Sequence, residues 1–286
     1  MADMKRPQWI AASLAILVTI SLYAITRDQL FGYHPKEGSI ESTTEAPSSQ
    51  LSIDTILHHA KERLTDDQLT RIHFLESSIT RGDVLSQKLH IYHQLARFWR
   101  DTARMFEPFG WYTAEAARLE NSEKSLTFAA RLFLQNLRYE ENADLRQWKA
   151  IQAKDLYERS LKVNPANDSV QVELGEVYVY GGLAMPMEGI SMIRTVAEKD
   201  PNNLYAQISL GNASLASGQL DKAIERFTTV VQMKPDHLEA LLLLADTHER
   251  KGDKAEAIKW YSKSLPFITI PGLKEEVERR ITDLKS

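Results

Sequence analysis

The chain has 286 residues and no cysteine. This absence excludes disulfide bonds, cysteine nucleophiles, thiolate zinc sites, covalent haem attachment and a lipid-modified cysteine. The sequence also lacks a G-x-S-x-G motif, a P-loop and a G-x-G-x-x-G motif. Acyl transfer, nucleotide hydrolysis and dinucleotide chemistry therefore lack their usual local frameworks. We expect a protein that is not an enzyme, with no catalytic residue and no cofactor.

The sequence also has no excess of basic residues over acidic ones. Lys and Arg number 35 and Asp and Glu number 39, so the formal net charge is −4 at pH 7. Because binding to phosphate backbones needs a basic face, we expect no nucleic-acid partner. Hydrophobic residues make up 43% and charged residues 26% of the chain, which is typical of a folded soluble body rather than of a multi-pass membrane protein.

Two histidine groups have a spacing that could place two metal ligands on one helix face. They are His58 and His59 with Glu62, and His90 with His93. HExxH is absent and no third ligand follows at a telling spacing. We interpret these residues as parts of amphipathic helices and predict no metal site.

No alternating strand pattern is present, and from residue 51 onward the apolar residues recur with helical spacing. This pattern predicts an all-α protein. We expect N-terminal helices over residues 52–64, 65–80, 84–106, 112–119, 122–137 and 143–163, with a break at residues 107–110. An aromatic cluster falls in this region: Phe98, Trp99, Phe106, Phe109, Trp111 and Tyr112. We interpret it as a packing core, and a ligand pocket with aromatic walls is the alternative.

The N-terminus contains an uncharged run that begins at Trp9 and ends at Ile25. Its 17 residues would span about 25 Å as a helix, the short end of the range for a transmembrane segment. Its length, Trp9 and Tyr23 near its two ends and the lack of a clean small-x-small cleavage site favour an uncleaved anchor over residues 1–26; a cleaved signal peptide is the alternative. We expect a single-pass inner-membrane protein of a bacterial envelope, with its body on the periplasmic side. Residues 27–50 are rich in Pro, Gly, Ser and Thr and are expected to form a flexible linker.

The most informative stretch contains Leu210 and Gly211, then Ala223, Phe227 and Pro235. Gly211 and Ala223 are small enough for two helices to approach closely, and Phe227 would fill the seam between them. Pro235 would end the second helix. We expect a pair of antiparallel helices that cannot bury its apolar flanks alone and therefore needs copies on either side.

Such copies follow and precede this stretch. Ala257 lies 34 residues after Ala223, and Tyr261 lies 34 residues after Phe227. Upstream, Gly175 precedes Gly211 by 36 residues, and a longer turn at residues 181–187 accommodates the difference. A further half-repeat contains Ala153, Tyr157 and Pro165, and its first helix should lie before Leu137.

The residue pattern and the 34-residue period resemble a tetratricopeptide repeat (TPR). The resemblance implies a helix-turn-helix solenoid over residues 141–270. Residues 51–140 would then be a helical region with possible degenerate repeats, and residues 271–286 a capping helix.

The resemblance also implies a binding scaffold whose first helices line a groove for a protein or peptide partner. The side chains expected to point into this groove are Val172, Glu176, Tyr205, Ile208, Asn212, Leu242, Asp246 and Glu249. A chaperone-type carboxylate clamp would need Lys where Val172 or Ile208 stands, so a basic and apolar ligand fits better. The alternatives are an assembly or maturation factor for a membrane complex, self-association through the repeats, and an enzyme site in the N-terminal helices.

Overall fold

The computed structural model describes residues 51–81 and 84–286, and all regular structure within these ranges is helical. The expected membrane anchor and linker lie outside the described residues. None of the helices in the described ranges combines the length and apolar character needed to cross a bilayer.

The described helices follow one another with short connections. They are α1 (Ile53–Lys61), α2 (Asp66–Arg81), α3 (Leu85–Arg97), α4 (Phe106–Glu120), α5 (Glu123–Leu137), α6 (Ala143–Val163), α7 (Asp168–Tyr180), α8 (Pro186–Lys199), α9 (Leu204–Ala216), α10 (Leu220–Met233), α11 (Leu238–Arg250), α12 (Lys254–Ser264) and α13 (Pro271–Lys285). A π-helix (Phe98–Ala103) follows α3, and a 3-10 turn (Leu265–Phe267) follows α12.

Helix starts agree with the polar signals in the sequence. The Ser52 side chain accepts a hydrogen bond from the backbone N–H of Thr55 at 3.1 Å, and Ser122 accepts one from Ser125 at 3.1 Å. Each bond pairs an N–H group that the first helical turn leaves without an intrahelical acceptor. The predicted starts of α1 and α5 are therefore confirmed.

The break predicted at residues 107–110 is wrong. The chain instead leaves the helical path at Arg104, which has a φ of 54°, and α4 then runs through Pro108 and Gly110. Pro108 lies in the first turn of α4, where its missing N–H would have had no intrahelical partner. A Cβ on Gly110 would lie 3.0 Å from the Phe133 ring, so this glycine permits close packing between α4 and α5.

The chain forms two compact units, one ending at Ser209 and the other beginning at Leu210. In the first unit, the aromatic cluster lies within two apolar cores. Phe98, Trp99 and Tyr112 are buried, and the other three rings are partly buried against the same cores. This burial confirms the interpretation of the cluster as a packing core.

Helices α5 and α6 form the pair that the half-repeat predicted. Ala153 and Tyr157 are fully buried in α6, and the Thr127 and Ser160 hydroxyls lie 2.8 Å apart between the two helices. Lys149 is buried as well; its Nζ lies 2.8 Å from a carboxylate oxygen of Glu107 and also contacts Glu140. A buried ammonium group needs such carboxylate partners to offset its lost hydration.

The backbones of α7 and α8 touch where two glycines face each other. A Cβ added to Gly175 would lie 2.7 Å from the Gly189 carbonyl oxygen, and one added to Gly189 would lie 2.3 Å from the Gly175 oxygen. Neither position can carry a larger residue without a backbone shift. The small residues in the repeat pattern therefore set the distance between the paired helices.

The second unit repeats this packing between its own helices. A Cβ on Gly211 would lie 2.3 Å from the Phe227 ring, and Ala257 and Tyr261 are fully buried. Gly218, which follows α9, has a φ of +71°. This left-handed conformation is accessible to glycine at little cost, which explains the residue type at the turn.

Helix α13 closes the apolar core of the second unit. Leu273, Val277 and Ile281, at spacings of four, are buried in the cluster that includes Leu242 and Tyr261. The opposite side of the helix is charged and exposed. This arrangement is typical of a helix that covers the end of a repeat stack.

Candidate partner-binding face

The apolar side chains predicted to contact a partner are part of the core. Val172 is fully buried, Ile208 is 7% exposed and Leu242 is 2% exposed. A partner held at the surface would not reach them. Helical spacing alone could not separate these positions from exposed ones, because α7, α9 and α11 are buried on more than one side.

Glu176 is the centre of a buried polar network in the first unit. Its carboxylate accepts hydrogen bonds from the Tyr205 hydroxyl at 2.8 Å and the Ser209 hydroxyl at 2.6 Å, and Arg138 lies 2.7 Å away. Burial raises the pKa of the Tyr205 hydroxyl, and the neighbouring Glu176 raises it further. Tyr205 therefore remains a neutral hydrogen-bond donor.

A second carboxylate, Glu173, lies on the same helix. It is 6% exposed; one of its oxygens accepts a hydrogen bond from Arg131 at 2.7 Å. Its Oε2 atom and the Tyr157 hydroxyl are buried with no hydrogen-bond partner. Burial raises the pKa of Glu173, and Arg131 with the neighbouring Tyr157 hydroxyl offsets only part of this effect. The folded protein thus holds a carboxylate that is incompletely stabilised in its charged form.

The acidic residues predicted in the second unit are paired with the chain's own arginines. Asp246 lies 2.7 Å from Arg250 Nε and 3.7 Å from Arg280. Glu249 accepts hydrogen bonds from Arg280 at 2.6 Å and from the Tyr261 hydroxyl at 3.0 Å. Burial raises the pKa of Asp246, and the two arginines act in the opposite direction. These acidic groups hold α13 in place, which leaves them less available to a basic ligand.

What remains accessible on the predicted positions is polar. Tyr205, Asn212 and Glu249 are partly exposed. Two further residues on the first helices, Ser169 of α7 and Glu239 of α11, are exposed. A partner would therefore meet hydroxyl, amide and carboxylate groups, which give direction and specificity to contacts more than they give apolar affinity.

Sequence reasoning missed the arginines that complete these networks. Arg131 is 42 residues from Glu173, and Arg280 is 31 residues from Glu249. Separations of this size carry no local signal, because only the packing of the helices brings the groups together. The contact between Asp246 and Arg250 has the i,i+4 spacing of a helix and could have been found.

The histidine groups contact residues of the same chain. The ring Nδ1 of His59 lies 3.1 Å from a Glu62 oxygen, and His93 lies 3.7 Å from Glu120. Among the described residues, no group of three or more His, Asp or Glu side chains has a geometry that could hold a metal ion.

Comparison with known proteins gives one family match. Residues 188–269 match the model of the family described as tetratricopeptide repeat. These residues include α9, α10, α11 and α12, together with most of α8. The match agrees with the 34-residue period that relates Ala223 to Ala257.

Solved structures with a similar fold include three proteins. One is MamA (41-end) from Desulfovibrio magneticus RS-1, which is 22% identical; the alignment covers 65% of this chain and 96% of MamA, with a TM-score of 0.44. PilW, described as a widely conserved type IV pilus biogenesis factor, is 17% identical and covers 68% and 85%, with a TM-score of 0.48. YrrB, described as a TPR protein with an unusual peptide-binding site, is 18% identical and covers 72% and 97%, with a TM-score of 0.41. No curated protein sequence matches the chain.

Proposed function

We propose that this chain, whose residues 188–269 match the tetratricopeptide repeat model, is a non-catalytic scaffold that binds a protein or peptide partner. The partner would lie along first helices of the repeats, at Asn212 of α9 and Glu239 of α11. The uncharged run at residues 9–25 would tether the protein to the inner membrane, with its body on the periplasmic side.

The observation that carries this proposal is the tight packing within each helix pair. Gly175 and Gly189 bring two backbones into contact, and Gly211 lies directly against the Phe227 ring. Helices held this closely keep their outward side chains at fixed spacings. A preorganised surface of this kind binds an extended or helical segment with little loss of its own conformational entropy.

The exposed groups define the chemistry of the partner. Tyr205 and Asn212 offer a ring and an amide, and Glu239 is an exposed carboxylate without an ion pair to any described residue. Asp246 and Glu249 already have arginine partners. We propose a partner segment that contributes hydrogen-bonding groups and one or two basic residues, rather than a strongly basic segment.

Site-specific photocrosslinking tests this proposal. A photoreactive phenylalanine derivative replaces Asn212 or Glu239, which lie on first helices. In matched controls it replaces Arg194 of α8 or Glu225 of α10, which are exposed on second helices. We expect one and the same crosslinked species from the two first-helix positions in intact cells, and none from the two controls.

A second set of variants examines whether the crosslinked surface is required. With the photoreactive residue at Asn212, the substitution Glu239→Lys should abolish capture of this species, while the far-UV circular dichroism stays unchanged. Equal crosslinking from all four positions, or crosslinking from the second helices alone, would rule out the proposed face.

The membrane tether needs a separate measurement. We expect the full-length protein to remain in the membrane pellet after extraction with alkaline carbonate, because a spanning helix is not released by loss of electrostatic contacts. A variant that lacks residues 1–26 should be soluble. Release of the full-length protein by carbonate would contradict the tether and leave the partner-binding proposal standing.

A further inference from the structure

A cavity of about 450 Å³ lies in the first unit between α1 and the beginnings of α4 and α6. Its lining includes four apolar side chains, Ile56, Met105, Phe106 and Leu145, and also Arg63 and Arg104. The volume falls within the range of small-molecule sites, about 300–1,000 Å³, and the mixture of apolar walls with a few polar groups is typical of them.

The two arginines at this cavity differ from the others around them. Arg118, for comparison, is bonded to Glu115, Asp155 and Gln152. The guanidinium groups of Arg63 and Arg104 are exposed and form no hydrogen bond or ion pair with the part of the chain that the structure describes. Their donors are therefore unused by the described residues.

Two carboxylates, Glu107 and Asp144, line the cavity beside the two guanidinium groups. The Glu107 carboxylate lies 2.8 Å from Lys149 Nζ, and His59 is hydrogen-bonded to Glu62. Asp144 is the remaining carboxylate of the lining and is exposed. Glu107 is thus held by Lys149, and neither Glu107 nor Asp144 forms an ion pair with Arg63 or Arg104 among the described residues.

The backbone at Arg104 adds an independent observation. Arg104 has a φ of 54°, and it follows the π-helix Phe98–Ala103. A left-handed conformation costs a residue other than glycine or asparagine roughly 1–2 kcal/mol, and short π-helical segments occur frequently at functional sites. The unusual backbone places the start of α4, and with it Met105 and Phe106, at the cavity wall.

We propose that this cavity binds a medium-chain fatty acid. The acyl chain would lie against Ile56, Met105 and Leu145, whose aliphatic side chains suit a flexible hydrocarbon. The carboxylate would be bound by Arg63 and Arg104, because the planar guanidinium group matches a carboxylate in shape and charge. This site is separate from the first helices of the repeats and does not depend on the proposed scaffold function.

Calorimetric titration of the full-length protein with decanoate tests the proposal. We expect saturable binding, and binding of decanol, which has the same chain without the charge, should be at least about tenfold weaker. The double variant Arg63→Gln with Arg104→Gln should lose at least about tenfold in affinity for decanoate. The matched control Arg194→Gln, at an exposed arginine of α8, should bind decanoate as the wild type does.

Two further measurements test where decanoate binds and whether a peptide carboxyl terminus could be the ligand instead. Leu145→Trp should fill the cavity and abolish decanoate binding, with an unchanged circular dichroism spectrum and both arginines still present. A short peptide with an apolar residue and a free carboxyl terminus should bind more weakly than decanoate. The proposal is overturned if wild type does not bind decanoate, if decanol binds equally well, if the arginine and control variants behave alike, or if the peptide binds more tightly.

Discussion

At the scale of single residues, the protein combines buried carboxylates with very close backbone contacts. Glu173 and Glu176 are both buried on α7, but only Glu176 has hydrogen-bond partners for both of its oxygens. Gly175 lies between them in sequence and touches Gly189. One helix therefore carries both an electrostatic cost and a strict limit on side-chain size.

We predict that Glu173→Gln stabilises the protein at neutral pH. Because burial raises the pKa of Glu173, its ionisation costs the folded state more than the unfolded state. This cost is absent below the unfolded-state pKa and develops as the pH rises through the folded-state value. The amide removes it, so the free energy of unfolding in urea should rise by about 1 kcal/mol at pH 7 and by much less near pH 4.

The control for this prediction is Glu239→Gln, which makes the same change at an exposed position of α11. It should alter stability by less than about 0.5 kcal/mol at either pH. If Glu173→Gln destabilised the protein at pH 7, the ion pair with Arg131 would outweigh the cost of burial, and our assignment would be incorrect.

We also predict that Gly189→Ala destabilises the protein. A methyl group there would lie 2.3 Å from the Gly175 carbonyl oxygen, so the two helices must separate. The expected loss is about 1–3 kcal/mol, although alanine in an exposed helix would gain about 1 kcal/mol over glycine. Urea unfolding measures this change, and Ser191→Ala, at an exposed position of the same helix, should be close to neutral.

At the scale of elements, α13 is attached by both apolar and charged contacts. Leu273, Val277 and Ile281 complete an apolar core, and Arg280 joins Glu249 on α11. The helix thus occupies carboxylates that the sequence had suggested for a ligand. Without it, the core residues that it covers would face water.

Val277→Ala should loosen the attachment of α13. Val277 is 1% exposed, and its truncation leaves a cavity in the core of the second unit, with an expected cost of about 2 kcal/mol. We expect faster hydrogen exchange in α12 and α13, which share that core. Lys274→Ala, on the exposed side of the same helix, should leave exchange unchanged. Equal exchange in both variants would indicate that α13 contributes little to the core.

At the scale of the whole molecule, the charge balance predicts behaviour toward polyanions. With a net charge of −4, the protein should not retard double-stranded DNA or RNA in a gel-shift experiment at about 0.15 M salt. A retarded band that weakens with rising salt concentration would contradict this prediction and would point to a local basic patch.

Much of the fold could be predicted from the sequence, because its signals are local. The helix starts at Ser52 and Ser122 were marked by capping residues, and the repeats by small residues at fixed spacing. The failure at Pro108 has a physical cause: a proline in a first helical turn is compatible with the helix, and sequence alone did not show where that turn began. Gly110 was likewise predicted to break the helix, but it lies inside α4 and permits close contact with Phe133 on another helix. A contact between two helices leaves no local signal in the sequence.

Less of the candidate site could be predicted. Helical periodicity identified which residues share a side of α7, α9 and α11, but not that Val172, Ile208 and Leu242 would be covered. Burial depends on what packs against a helix, and that information is distributed along the chain.

The sequence by itself determined the all-α class, the repeat period and the small residues at the helix crossings, because these depend on spacing along one or two neighbouring helices. Only the tertiary structure decided which carboxylates are neutralised, by pairing Glu176 with Arg138 and Glu249 with Arg280, and where the cavity beside Arg63 and Arg104 lies. Electrostatic partners and cavities depend on distances between residues far apart in the chain, and only the packing of the helices sets those distances.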